Sequence, residues 1–179
     1  MPNWCNNSVV VTSKNEKKLK EFRNKAVGKS EDSSSSDLSL QELVPMPKEM
    51  EDDGKWYNWR VKHWGTKWDI DANLYDDTVD TLCYSFDSAW SPPIDALAKI
   101  SEDYPDLVFN LEYEELGMCF AGEVIFEDGI YTDNCYTLEY GKCPECGEET
   151  QLLRGECSCC GAGIDFVIKP IGKILDNAI

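Results

Sequence analysis

Apolar residues recur along this chain with two alternating periods. "NNSVVVTS" near the start has the alternation and β-branched content of a strand. The period then lengthens: in "SKNEKKLKEFRNKAVG", Leu19, Phe22 and Ala26 fall on one helical face, Ser13 and Glu16 have capping-box spacing, and Gly28 is placed to stop the helix. From Trp68 the period is two, with Trp68, Ile70, Ala72 and Leu74 alternating against Lys67, Asp69, Asp71 and Asn73, and Leu82, Tyr84 and Phe86 repeat it. "SPPIDALAKISEDYP" predicts a helix of about three turns, with Ser91 as N-cap, Pro92 at the first helical position and Pro105 beyond the end. "LVFNLEYE" and "CFAGEVIFEDG" return to strand alternation. The order strand, helix, strand, strand, helix, strand, with one more strand behind, predicts an α+β ferredoxin-like sandwich: an antiparallel sheet with two helices on one face.

The 179 residues suit one such domain and a small module, assigned here to residues 1–138 and 139–179. Inside the first, "KSEDSSSSDLS" is a serine and acid run too poor in apolar residues to pack, so a mobile loop is expected at about residues 29–39. The opening "MPNWCNNSVVV" has neither a basic leader nor an apolar segment of signal-peptide length, and no later run approaches the ~18 apolar residues of a membrane span. A soluble, cytoplasmic protein with no membrane contact is the expectation.

Charge divides the chain. Residues 1–68 hold 12 Lys and Arg against 10 Asp and Glu, whereas residues 69–179 hold 5 against 24. Within residues 69–133, 17 carboxylates face a single lysine, Lys99. Such a surface repels a nucleic-acid duplex and steers basic surfaces toward itself; Asp76, Asp77 and Asp80 are the candidate partner-binding residues on it.

Nine cysteines, an odd number in a chain without an export signal, favour metal or free thiols over a disulfide framework. "CPECGEETQLLRGECSCCGAG" places Cys143 and Cys146, then ten intervening residues, then Cys157 and Cys160, each pair followed by a glycine. Four thiolates on two tight turns make a closed tetrahedral cage for one structural Zn²⁺ per chain, a zinc ribbon with no open position for catalysis. Cys159 is a spare thiol between two ligands. Five glutamates against Lys142 and Arg154 in residues 139–161 make the module a poor phosphate binder.

"WYNWRVKHWGTKWD" gathers four tryptophans, the single histidine and most of the local cations. Two readings compete. Trp64, Trp68 and Trp90 pack over one end of the sheet with Arg60 or Lys67 stacked on an indole, or Trp59, Arg60, Lys62, His63, Trp64 and Lys67 line a cleft that stacks a base and holds phosphate, a nucleotide site. Trp68, from its place in the alternation, should point inward, and Trp59 outward.

The ordered segments "MPNWCNN", "LVPMP", "WYNWRVKHWGTKWD", "SFDSAWSPP" and "CFAGE" resemble the YubB-type ferredoxin-like family of phage and plasmid proteins, over roughly residues 1–127. The resemblance implies a ferredoxin-like fold, a mobile-element origin and a bacterial host cell; it implies little chemistry, since the family's domain has no assigned function. Charge asymmetry and this resemblance together predict an accessory protein that acts by binding, in counter-defence or host takeover, its acidic face mimicking nucleic acid against a basic host protein. Nucleotide binding in the aromatic cleft is the alternative. A third is an enzyme using the secondary amine of a processed Pro2.

Overall fold

The computed structural model describes residues 3–29, 35–51, 54–137, 140–143, 145–151 and 159–161. The chain runs through β1 (Trp4–Thr12), α1 (Glu16–Ala26), β2 (Gly28–Lys29), β3 (Ser35–Ser36), α2 (Leu40–Leu43), a 3₁₀ turn (Lys48–Met50), α3 (Trp56–Trp64), β4 (Asn73–Asp77), β5 (Thr81–Ala89), α4 (Ile94–Asp103), β6 (Val108–Glu115), β7 (Phe120–Glu127), β8 (Ile130–Thr137), β9 (Tyr140–Lys142) and β10 (Glu149–Gln151). Six strands form one antiparallel sheet in the order β4-β5-β1-β6-β7-β8. With α1 and α4, the first four in that order are the ferredoxin-like sandwich, and β7 and β8 extend it beyond β6.

Period two divides each strand between two environments. Cys5, Asn7, Val9 and Val11 of β1, Leu82, Tyr84 and Phe86 of β5, and Phe109, Leu111 and Tyr113 of β6 are buried. Leu19, Phe22 and Ala26 from α1 and Ala96, Leu97 and Ile100 from α4 complete that core, where Phe22 meets Phe109 and Tyr104 edge to face at 5.4 and 5.2 Å. On the opposite face Asn6, Asp87, Glu112, Ile125 and Glu127 are exposed.

Several boundaries differ from the sequence pattern because side chains found distant partners. The N-cap of α1 is Asn15, whose side chain accepts from the Lys18 amide; Ser13 donates instead to the Asp106 carbonyl at 2.8 Å. α1 ends at Ala26 with Val27 extended, and Gly28 is required by space: a Cβ there would lie 2.6 Å from Cβ of Ser39. α4 starts at Ile94, leaving Ser91 to donate to the Gly65 carbonyl. The strand expected from Trp68 begins only at Asn73, since Asp69 turns inward to accept from Ser39 Oγ and from the amides of Leu40, Gln41 and Ile70. The serine-rich segment is not all loop either. Ser36 and Ser39 are buried, and Ser36 Oγ donates to the Leu38 carbonyl while accepting from the Ala72 amide; residues 30–34 lie outside the described residues. β8, absent from the sequence reading, follows a tight turn in which Asp128 and Gly129 both take positive φ, 50° and 78°. That is the geometry an Asp-Gly pair favours in a two-residue hairpin.

Candidate metal centre and binding faces

The cysteine module starts at the β9–β10 hairpin. Its turn closes through Gly147 N–H to the Cys143 carbonyl and Cys143 N–H to the Glu148 carbonyl, with Gly147 at φ 73°. This places Cys143, buried, and Cys146, exposed, on one knuckle, and Cys160 comes to the same point from the second. The three sulfurs lie within 4.8 Å of one another, and Cys143 and Cys160 are 3.7 Å apart. A disulfide needs about 2.05 Å. A tetrahedral thiolate site with metal–sulfur bonds of about 2.3 Å has edges near 3.8 Å, so the donor set and its spacing fit a metal ion. Cys157, the expected fourth ligand, lies outside the described residues. Cys159 is exposed and is not one of the three clustered sulfurs.

The tryptophan-rich stretch folds as helix α3, ended by Gly65 in the left-handed region at φ 77°, whose amide bonds the Val61 carbonyl. Helical spacing scatters the candidate ligand residues. Trp64 is fully buried and its Nε1 donates to the Val44 carbonyl at 2.9 Å, closing it to any ligand. Arg60 lies over the rings of Trp56 and Trp64, at 5.4 and 4.8 Å. Trp59, half-buried rather than exposed, stacks on His63 at 4.3 Å, and His63 Nδ1 bonds the Trp59 carbonyl at 2.8 Å. Lys62 points to solvent. Lys67 lies beyond the helix on a different group of rings, Trp68 and Trp90, at 4.4 and 5.1 Å from its Nζ. Of the six residues, Arg60 thus lies on Trp64, Trp59 on His63, Lys67 on rings outside the set and Lys62 in solvent, so they do not line one cleft. Trp68, expected inward, is half-exposed. Trp4, which the pattern did not single out, stands beside it with ring centroids 5.8 Å apart.

The carboxylates separate by face. Asp76 pairs in register with Cys83 on the face away from the helices, but Asp77 forms an ion pair with Arg23 at 2.8 Å and Asp80 accepts from the hydroxyls of Thr78 and Thr81 within its own turn. Of the three candidate partner residues, only Asp76 shares the open face. Better placed are Glu112 and Glu123, which sequence order disperses and strand register brings together, with Glu114 and Asp87 on the same face in the next row. Glu112 sits directly opposite Glu123 on neighbouring strands. Asn110 donates to Glu123 and Asn6 donates to Asp87, both neutral donors. None of the six strands contains a lysine or arginine.

The profile of the family described as "Ferredoxin-like domain in Api92-like protein" matches residues 63–154. The chain belongs to this family. The Api92-like segment runs from the end of α3 through β10; it includes Cys143 and Cys146, ends before Cys157 and Cys160, and leaves out β1 and α1. The crystal structure of protein api92 from Yersinia pseudotuberculosis is similar at a TM-score of 0.45 and 14% identity, over 58% of this chain and 40% of that one. No match is found among curated proteins. No helix among the described residues is long and apolar enough to cross a membrane. Pro2, on which the N-terminal amine chemistry depended, lies outside the described residues.

Proposed function

We propose that this Api92-like chain acts by binding, through the open face of its sheet, the basic surface of a protein partner. The observation that carries this is the register of Glu112 against Glu123, with Glu114 one same-face step along β6 and Asp87 in the same row as Glu114 across β1, on a sheet whose strands hold no cation. Like charges directly opposite one another on adjacent strands are destabilising. The pair is therefore kept at a cost to the sheet, only partly offset by the Asn110 amide that donates to Glu123. Same-face residues stand about 6.7 Å apart along a strand and about 4.8 Å across strands, a charge density that a row of basic side chains can neutralise. The occupant that fits is the nucleic-acid-binding surface of a host enzyme or defence complex, the setting that the resemblance to phage and plasmid proteins implies.

We further propose that the cysteine cluster holds Zn²⁺, with Cys157 as the fourth ligand. Four thiolates leave no open coordination position, so the ion is structural.

Affinity capture from a nuclease-treated bacterial lysate tests the binding face. Wild-type protein should retain a basic nucleic-acid-binding protein, released by added salt, because exposed charges are screened over about 10 Å at 0.1 M. A Glu112→Lys/Glu123→Lys variant should retain far less of it. Equal capture by both proteins would overturn the reading.

A further inference from the structure

Three exposed or half-exposed indoles converge at one end of the open face. Trp4 is 51% exposed and Trp90 40%. Trp68 lies between them, tilted 40° against Trp4 and stacked at 26° on Trp90 with centroids 6.5 Å apart, and Tyr57 closes the row edge-on to Trp90. The ledge is held rigidly from behind. Thr66 Oγ1 accepts from the Ala89 amide at 3.0 Å and donates to its carbonyl at 3.1 Å, while the Trp90 amide donates to the Asn3 carbonyl at 2.9 Å. Trp90 itself sits at φ 69°, a left-handed conformation that a bulky side chain enters only at a cost and that clusters at functional positions. An ordinary core would bury these rings rather than hold one in a strained turn half in water.

The neighbouring charges select the ligand. Trp4 shares its strand face with Asn6, which pairs in register with Asp87 on one side and Glu114 on the other. These carboxylates lie one same-face step along and one strand across from Trp4, about 8 Å between Cα positions. A nucleobase stacked on Trp4 would bring its phosphate against them. A cation is attracted by both ring and carboxylates, and the ledge already holds one: the Lys67 ammonium lies over Trp68 and Trp90. The same preference recurs inside the protein, where Arg60 lies over Trp56 and Trp64. Arginine suits the outer ring better than lysine, since a planar guanidinium stacks on an indole while donating two parallel hydrogen bonds to a carboxylate. We propose that Trp4, Trp68 and Trp90 form an anchor for an arginine side chain of the basic partner. This rests on the acidic-face reading above and adds the residue type that the partner must present.

Two peptides of equal length and charge, one alternating arginine with glycine and the other carrying lysine at every arginine, separate the two ideas when titrated at low salt by calorimetry. Carboxylates alone bind both peptides alike. The ledge should favour the arginine peptide by about two- to tenfold. Trp4→Ala should abolish that preference and Trp4→Phe should keep most of it. Lys67→Met, which frees the inner ring faces, should raise the ratio further without touching Trp4. Equal affinities for wild-type protein, or a preference that survives Trp4→Ala, would overturn the anchor and leave the acidic face standing. No binding of either peptide would overturn both. An oligothymidylate that displaces the arginine peptide from wild type and not from Trp4→Phe would overturn the assignment in favour of a base.

Discussion

Tyr84 lies in the core with its hydroxyl buried and, among the described residues, without a hydrogen-bond partner, and burial pushes its pKa up. An unsatisfied buried hydroxyl costs on the order of 1–3 kcal/mol, so Tyr84→Phe is expected to raise stability by about 1 kcal/mol, read from urea midpoints at neutral pH. Cys5 obeys the same physics. Burial, aided by the charges of Glu115, Asp87 and Glu114 and opposed by a hydrogen bond with Ser88, pushes its thiol up to about 12. The folded state then holds a proton that the unfolded thiol releases from about pH 9. Stability is therefore fully present below pH 9 and falls as pH rises toward the folded value, by at most about 1.4 kcal/mol per pH unit for one group. Urea midpoints measured from pH 8 to 10.5 should decline in wild type, and Cys5→Ala and Tyr84→Phe should each flatten the slope. A slope unchanged in both variants would show that other groups set the alkaline limit. Against this background Cys5 is an inert core residue, since the thiolate is the reactive form.

Among the elements, the β6–β7 pair offers the sharpest contrast between stability and function. Glu112→Lys replaces a like-charge cross-strand pair with an attractive one, expected to stabilise the sheet by about 0.2–1 kcal/mol while weakening capture of a basic partner. Opposite signs in the two measurements would distinguish a working surface from a merely soluble one. In α3, Trp64→Ala should cost about 3–5 kcal/mol through the cavity it leaves, whereas Lys62→Ala, in solvent, should stay within about 0.5 kcal/mol. The sandwich was legible in the sequence because period two and the α1 and α4 stripes mark buried faces directly: Leu19, Phe22, Leu82, Tyr84 and Phe86 are all where alternation places them. The first cysteine knuckle was legible because its spacing is local. What failed depends on partners distant in sequence. Asp69 leaves the strand to cap α2, Ser13 gives up the helix for Asp106, and Trp4 joins Trp68 and Trp90 only once β1 enters the sheet. The Asp-Gly turn before β8 carried a signal that strand alternation overshadowed, and the pairing of Glu112 with Glu123 is a property of register, not of spacing.

For the whole molecule, metal and sheet should come apart. A small cysteine module without its ion has too little core to fold, while the six-stranded sheet keeps its own. Protein purified under reducing conditions should contain one zinc per chain, lost to a strong chelator or in Cys143→Ser. Chelation should then increase hydrogen exchange in β9 and β10 and leave β1, β5 and β6 protected. Absence of zinc by elemental analysis would sink the assignment, as would global unfolding on chelation the independence of the two parts.

The position of β1 has a further consequence. It lies between β5 and β6, so its partners are the last strands of the sandwich to be made: Thr12 pairs with Thr81 and Cys5 with Glu115. On the ribosome one edge of this apolar strand waits for β5 and the other stays unsatisfied until β6 has emerged, and such non-local closure is slow and exposed to aggregation. A stalled nascent chain released before Glu115 should therefore be far more sensitive to proteases than its length suggests, and translation past that residue should bring protection in a single late step.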